Sequence, residues 1–453
     1  MKHSVPLPSS YRDPEGFVFK ENGFIYRSIS PTYFEDYNLL FRSGLYKELT
    51  EKGRLIKHEE LNHENNSDSK IILPEQIPFI SYPYEWSFDM WKDAAIVTLK
   101  IAMLAQQKGM MLKDATPFNI QFYKGRPVFI DTLSFEKYEP DNSWIAYRQF
   151  CECFLGPLLL MKYCHRDMGK LFSTYPEGFP LEIISSLLPN RAFWNVNVQL
   201  HIRMQQRISG DKKNKKENKG LFSQKKLHVL LTGLLDMVTA MKPKESKSVW
   251  DHYYTDTILG ADYLSAKTNI FKKLSSGIAF KTVIDLGAND GYFSILLRDR
   301  ADWIIAADAD SNCINALYKT IRKEKIKNIV PLVSVFTAPS PALGWANAER
   351  SSLTERLKAD LVLALALVHH LAISANIPLS FMAKWLSDIA PFLIIEFVPK
   401  TDEKVKELLM HRKDIFTRYT AELFRKEFEV YFSIVCEEKV GHTDRILFLM
   451  KRI

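Results

Sequence analysis

The stretch Lys281-Thr282-Val283-Ile284-Asp285-Leu286-Gly287-Ala288-Asn289-Asp290-Gly291-Tyr292-Phe293 limits what this chain can fold into more than any other. Val283 and Ile284 are β-branched and apolar, which suits a strand buried on both faces of a parallel sheet. Gly287 permits a tight turn, and Gly291 lets a helix approach the strand closely. Apolar residues then recur at helical spacing through Phe293, Leu296 and Leu297. A second buried strand, Trp303-Ile304-Ile305-Ala306-Ala307, ends at Asp308. That acid lies about 20 residues past Gly287, where a nucleotide fold sets a carboxylate on the ribose hydroxyls.

The glycines fall as G-x-N-x-G, so the pyrophosphate fingerprint G-x-G-x-x-G is incomplete. S-adenosylmethionine carries a methionine arm and a sulfonium in place of a pyrophosphate, and a side chain can stand where a dinucleotide fold needs bare backbone. The segment resembles motif I of class I S-adenosylmethionine-dependent methyltransferases, and the resemblance runs from about Ser248 to the C-terminus. It implies an α/β fold with a Rossmann-like sheet. It also implies S-adenosylmethionine as cofactor, held by Asp285, Gly287, Asn289, Gly291 and Asp308. The plainer alternative is an ordinary βαβ unit with a tight turn.

Later segments follow in the order such a sheet needs. Asn328 to Val335 reads as the third strand, and Ala359 to Val368 as the fourth, ending at His369-His370. Leu393 to Pro399 reads as the fifth strand and carries Glu396. Glu429 to Val435 and Ile446 to Met450 read as a closing antiparallel pair, after a helix spanning Phe416 to Phe428. The carboxyl edge of the fourth strand is where a doubly wound sheet presents substrate. A neutral imidazole there can take a proton from a hydroxyl or amine. His369, His370 and Glu396 are therefore the candidate catalytic residues, with His369 slightly preferred and one backbone-bonded histidine the alternative. Many class I enzymes carry an acid after the third strand to hold adenine, whereas Val335-Phe336-Thr337 stands here. Tyr254 or Tyr263 is a candidate cap for the methionine arm, with plain aromatic packing as the alternative. No zinc-ligand spacing occurs, so no metal is expected in this half.

The first half holds a second pattern. Gly16 to Ile29 reads as a hairpin turning at Asn22-Gly23, and Tyr33 to Lys52 as helix. Asn62 to Lys70 reads as a polar loop, Ile77 to Phe88 as a strand and turn, and Asp89 to Gln107 as a helix. Asp114 and Asn119 stand as D-x-x-x-x-N, followed by a hairpin tip at Lys124-Gly125 and a strand ending at Asp131. This resembles the centre of protein-kinase-like folds, closest to sugar and antibiotic kinases, over roughly residues 77 to 175. The resemblance implies Asp114 as base, Asn119 and Asp131 as Mg²⁺ ligands, and Mg-ATP as a second cofactor. The pattern departs from the family. Leu112-Lys113 precedes Asp114, Thr132-Leu133 follows Asp131, no glycine-rich loop occurs, and Arg27 is the one strand-borne cation available. Asp and Asn as plain turn formers are the alternative.

These readings divide the chain into a small α+β lobe (1–76), a kinase-like helical lobe (77–205), a linker with a connecting helix (206–247) and a methyltransferase domain (248–453). Trp144 to Lys162 and Leu227 to Met241 read as helices, and the lysine-rich run from Gly210 to Lys226 as a linker. That run holds much of the +8 net charge, which weakens any reading of a nucleic-acid surface. The longest apolar run, Leu361 to Val368, is too short to span a bilayer, and the five cysteines form no CxxC pair. A cytoplasmic protein with reduced thiols is expected. The expected activity is O- or N-methyl transfer to a small or glycan-like acceptor. The fusion resembles bacterial methyltransferases associated with nodulation and surface glycans. An ATP-dependent sugar kinase with a regulatory methyltransferase-like domain, or a catalytically silent nucleotide-binding scaffold, are the alternatives.

Overall fold

Asn22 and Gly23 both take positive φ (50° and 86°), and the chain reverses there. β1 (Gly16–Glu21) and β2 (Phe24–Ile29) pair antiparallel across this turn, in register from Glu21 opposite Phe24 to Gly16 opposite Ile29. The computed structural model describes residues 6–61, 69–139, 144–206, 223–244, 260–410 and 413–453. Two units are formed, one from residues 1–246 with 341–352, the other from 247–340 with 353–453.

In the first unit the helical run after β2 splits into α1 (Phe34–Arg42) and α2 (Leu45–Glu51) at Gly44, whose φ of 76° no helix interior accommodates. β3 (His58–Leu61) and β4 (Lys70–Pro74) complete a four-stranded sheet of order β1-β2-β4-β3. Lys70 therefore opens a strand, while the rest of the expected polar loop, 62–68, lies outside the described residues. No strand forms over 77–88. Pro78 and Pro83 remove two ladder donors, and the chain makes one 3₁₀ turn at Pro83–Glu85 instead. α3 (Phe88–Gln107) is the long helix of this unit and buries Trp91, Leu99, Ile101 and Leu104. β5 (Met110–Leu112) pairs with β8 (Phe135–Lys137), and β6 (Ile120–Tyr123) with β7 (Arg126–Phe129) around Lys124-Gly125. Helical turns then run from Tyr147 through a wide turn at Cys151–Leu155 into α4 (Gly156–Tyr163). α5 (Leu181–Leu187) packs so close that a Cβ on Gly156 would lie 2.2 Å from Ile184 Cδ1. α6 (Gln224–Thr239) packs on α3, tied by Gln106 Nε2 donating to the Gln224 carbonyl at 2.5 Å.

The second unit is a seven-stranded sheet with helices between its strands. Its strands are β9 (Thr282–Leu286), β10 (Trp303–Asp308), β11 (Ile329–Val333), β12 (Leu361–Ala364), β13 (Phe392–Phe397), β14 (Phe432–Lys439) and β15 (Ile446–Arg452). They lie in the order β11-β10-β9-β12-β13-β15-β14. β9 to β13 pair parallel, and β15 runs antiparallel to both β13 and β14. The helices are α7 (Gly260–Ser276), α8 (Tyr292–Leu296), α9 (Ser311–Glu324), α10 (Leu379–Ile389), α11 (Glu403–Leu409) and α12 (Ala421–Phe428). Val283, Ile304, Leu317, Leu361, Leu363, Ile394 and Leu447 fill the core. The strand order reverses direction beside β9, so its carboxyl edge opens a crevice of the kind that takes ligands in doubly wound folds. Several expected elements have other bounds in the structure: β13 ends at Phe397 and β14 starts at Phe432. β11 stops at Val333, β12 stops at Ala364 because the chain turns at Ala366 (φ 52°), and α12 starts at Ala421 on a Thr420 cap. No helix among the described residues is long and apolar enough to cross a membrane.

Candidate functional site

The turn after β9 is built from residues that tolerate left-handed backbone. Gly287, Asn289 and Gly291 take φ of 77°, 50° and 81°. Gly287 N and Ala288 N both donate to the Ala307 carbonyl, at 2.9 and 3.1 Å, which pins the turn to β10. A Cβ on Gly291 would stand 2.4 Å from Leu317 Cδ1, so only glycine lets α8 meet α9 at this spacing.

Asp308 closes the turn from the next strand. Its Oδ2 accepts Asn289 N at 2.9 Å and its Oδ1 accepts Asp310 N at 2.8 Å. A carboxylate has about four acceptor positions, so it can take further donors beside these backbone groups. Burial raises the Asp308 carboxyl above its ordinary range, against the pull of the backbone N–H groups of Asp310, Asn289 and Ala309. Ser334, just past β11, donates its own N–H to the Asp308 carbonyl at 2.8 Å. Its hydroxyl is buried with no partner among the described residues. Sequence reasoning searched this edge for an acid and passed over Ser334; a hydroxyl one residue past the strand was the available signal.

Asp285 sits on β9 itself, 2 % exposed, and accepts from Ser294 Oγ at 2.7 Å. Burial pushes its carboxyl up to about 7, against that hydroxyl bond. Asp285 therefore bonds inward to α8, whereas Gly287, Asn289, Gly291 and Asp308 meet at the turn.

His369 and His370 follow β12 with ring centroids 4.1 Å apart. His369 is fully buried, and neither ring nitrogen has a partner among the described residues. Burial holds its pKa well below the imidazole range, with His370, Arg445 and Lys267 adding to the effect. Burial, then Arg445, lowers His370 to about 4. Both rings are neutral at pH 7.

Glu396 is fully buried rather than set out at the edge of β13. Its carboxylate accepts Tyr263 OH at 2.6 Å and Lys267 Nζ at 2.7 Å. Arg445 Nη1 donates to Tyr263 OH at 2.8 Å, and its Nε and Nη2 reach Asp402 at 2.7 and 2.9 Å. Burial pushes the Glu396 carboxyl up, but Lys267 and Arg445 together hold it below the usual carboxylate range. The Tyr263 hydroxyl is thus committed to Glu396 and Arg445. Tyr254 lies outside the described residues.

In the first unit Asp114, Asn119 and Asp131 do converge. Asn119 Nδ2 donates to Asp114 Oδ2 at 3.1 Å and to Ser134 Oγ at 3.3 Å, and Gln149 Nε2 donates to Asp114 Oδ1 at 2.7 Å. Asp131 accepts from Ser134 Oγ and forms an ion pair with Arg27, which also pairs with Asp13 at 3.2 Å. The carboxylates are bonded within the protein, and no group of three or more His, Cys, Asp or Glu that could hold a metal occurs among the described residues. Asp114, Asn119 and Asp131 thus meet with each side chain already bonded to a protein partner.

No family model matches the chain. The nodulation protein NoeA of Rhizobium meliloti (strain 1021) is 32 % identical over 464 residues, covering 98 % of this chain and 96 % of that protein. Among solved structures, N-methyltransferase NodS from Bradyrhizobium japonicum WM9 with S-adenosyl-L-homocysteine is 11 % identical. The likeness covers 45 % of this chain and 93 % of that one, with a TM-score of 0.33. A SAM-dependent methyltransferase from Aquifex aeolicus is 15 % identical, covering 46 % of this chain and 100 % of that one, with a TM-score of 0.32.

Proposed function

The chain belongs to the family of the nodulation protein NoeA, and we propose that its second unit is an S-adenosylmethionine-dependent methyltransferase for a small or glycan-like acceptor. One observation carries this reading: the Asp308 carboxylate, at the end of the strand beside the glycine turn, is bonded to the backbone of that turn at 2.9 Å. A carboxylate there suits a ribose diol, and the Ser334 hydroxyl, without a partner among the described residues, suits the adenine edge where an acid is missing. S-adenosylmethionine would supply an electrophilic methyl group on a sulfonium.

The remaining work falls to this chain. The turn after β9 fixes the cofactor, and the edge beyond β12 and β13 positions the acceptor, since alignment at near-attack distance supplies much of the rate. A neutral His369 or His370 would take the proton that the acceptor hydroxyl or amine gives up. Beyond β13, Thr401, Asp402, Glu403, Lys404, His442 and Asp444 line a cavity of about 230 Å³. Incubating the protein with methyl-labelled cofactor and a set of sugars, amino sugars and RNA oligomers tests the reading. Label should pass to a sugar. Label passing only to RNA would overturn the acceptor, and cofactor bound with no transfer to any acceptor class would favour the silent scaffold.

A further inference from the structure

α7 carries Tyr263 and Lys267 one turn apart, facing the same way, and both are buried, at 8 % and 1 % exposure. From that face α7 touches two distant parts of its unit. Toward the glycine turn, Thr268 Oγ1 lies 3.2 Å from Tyr292 OH, Lys267 Nζ lies 5.1 Å from the Phe293 ring centre, and the Phe271 and Phe293 rings are 4.9 Å apart. Tyr292 and Phe293 are the two residues directly after Gly291. Toward the end of β13, Tyr263 and Lys267 hold both oxygens of Glu396. Arg445, in the turn between β14 and β15, carries the chain of contacts on to Asp402, which accepts Lys404 N at 2.9 Å and caps α11.

Charged groups this deep lose most of their hydration, and well-packed apolar residues serve stability as well or better. A buried chain of two cations, two carboxylates and a phenol is therefore weakly explained by stability alone. Its geometry is directional: it fixes one helix against both the turn and the far strand edge.

We propose that Tyr263 and Lys267 are positioning residues, anchored on Glu396 and Arg445, that set the glycine turn at its working distance from the edge of β13. This rests on the methyltransferase reading. The network assigns Glu396 a different role from that of a base or substrate ligand. It holds α7 in place and touches neither reacting group.

The test pairs stability with affinity for S-adenosylhomocysteine, measured by calorimetry on the full chain. Lys267→Met alone takes the nearest cation from a buried carboxylate and should lower both. Lys267→Met combined with Glu396→Gln removes the two charges together and should recover most of the melting temperature. Positioning predicts that affinity stays at least tenfold weaker in this double variant. Recovery of affinity along with melting temperature would overturn the proposal and leave the network purely structural. Tyr263→Phe gives the same answer with less risk to folding. Removing one hydroxyl should weaken binding several-fold, and unchanged affinity contradicts the proposal. Wild-type protein that binds no S-adenosylhomocysteine would overturn the methyltransferase reading itself, an outcome distinct from either of these.

Discussion

Asp285 shows how burial alone can tune one residue. Its carboxyl rises from 3.8 to about 7, burial being the main cause. Between those values the folded chain binds more protons than the unfolded one, so stability falls as pH climbs from about 4 to about 7. That rise bounds the loss at roughly 4 kcal/mol. Asp285→Asn should flatten that slope in urea melts at pH 5 and pH 8, and an unchanged slope would place its source elsewhere. Which residues would sit at the turn was readable from local order, because Gly287, Asn289, Gly291 and Asp308 are set by one strand-turn-helix and the strand beside it. The fate of Glu396 was not readable. Nothing near it in sequence shows that Lys267, 129 residues earlier, would neutralise it.

At the scale of elements, Gly291 holds the tightest joint. Both its φ of 81° and the 2.4 Å approach of Leu317 Cδ1 oppose any side chain. Gly291→Ala should cost roughly 1–3 kcal/mol by thermal or urea melts. Adding Leu317→Ala should not restore it, since the backbone strain remains and a core cavity is created. Full rescue by Leu317→Ala, a strong departure from additivity, would show that the clash alone mattered. The hairpin at Asn22-Gly23, the helix α3 and the five parallel strands were legible because period and turn chemistry agree locally. The fourth strand, expected over Ala359 to Val368, was overextended, since it runs only Leu361–Ala364. Apolar residues look alike whether buried in a strand or in the turn that follows it, and only Ala366 at positive φ ends β12. At 77–88 the aromatics suggested a strand that two prolines forbid.

For the whole molecule, two units share one chain, and residues 341–352, which lie between β11 and β12 in sequence, belong to the first. Within it Glu349 accepts Tyr11 OH at 2.8 Å and Arg12 Nη2 at 3.0 Å. No local pattern announced that assignment, which depends on side chains more than 300 residues apart. Ligand binding should act unequally on the protein. At about 100 times its dissociation constant, S-adenosylhomocysteine should add roughly 2.7 kcal/mol to the stability of the unit that binds it. Mg-ATP should leave the melt unchanged, because Arg27, Ser134, Asn119 and Gln149 already occupy Asp131 and Asp114. A melt raised by Mg-ATP and restored by Asp131→Ala would contradict that reading of the first unit. The most direct measurement is titration calorimetry of S-adenosylhomocysteine into wild type, Gly287→Leu and Asp308→Ala. One site per chain is predicted for wild type. Asp308→Ala should lose at least tenfold in affinity, about 1.4 kcal/mol, and Gly287→Leu should show no measurable binding. Wild-type protein that releases no heat, or either variant binding as tightly as wild type, would contradict the account.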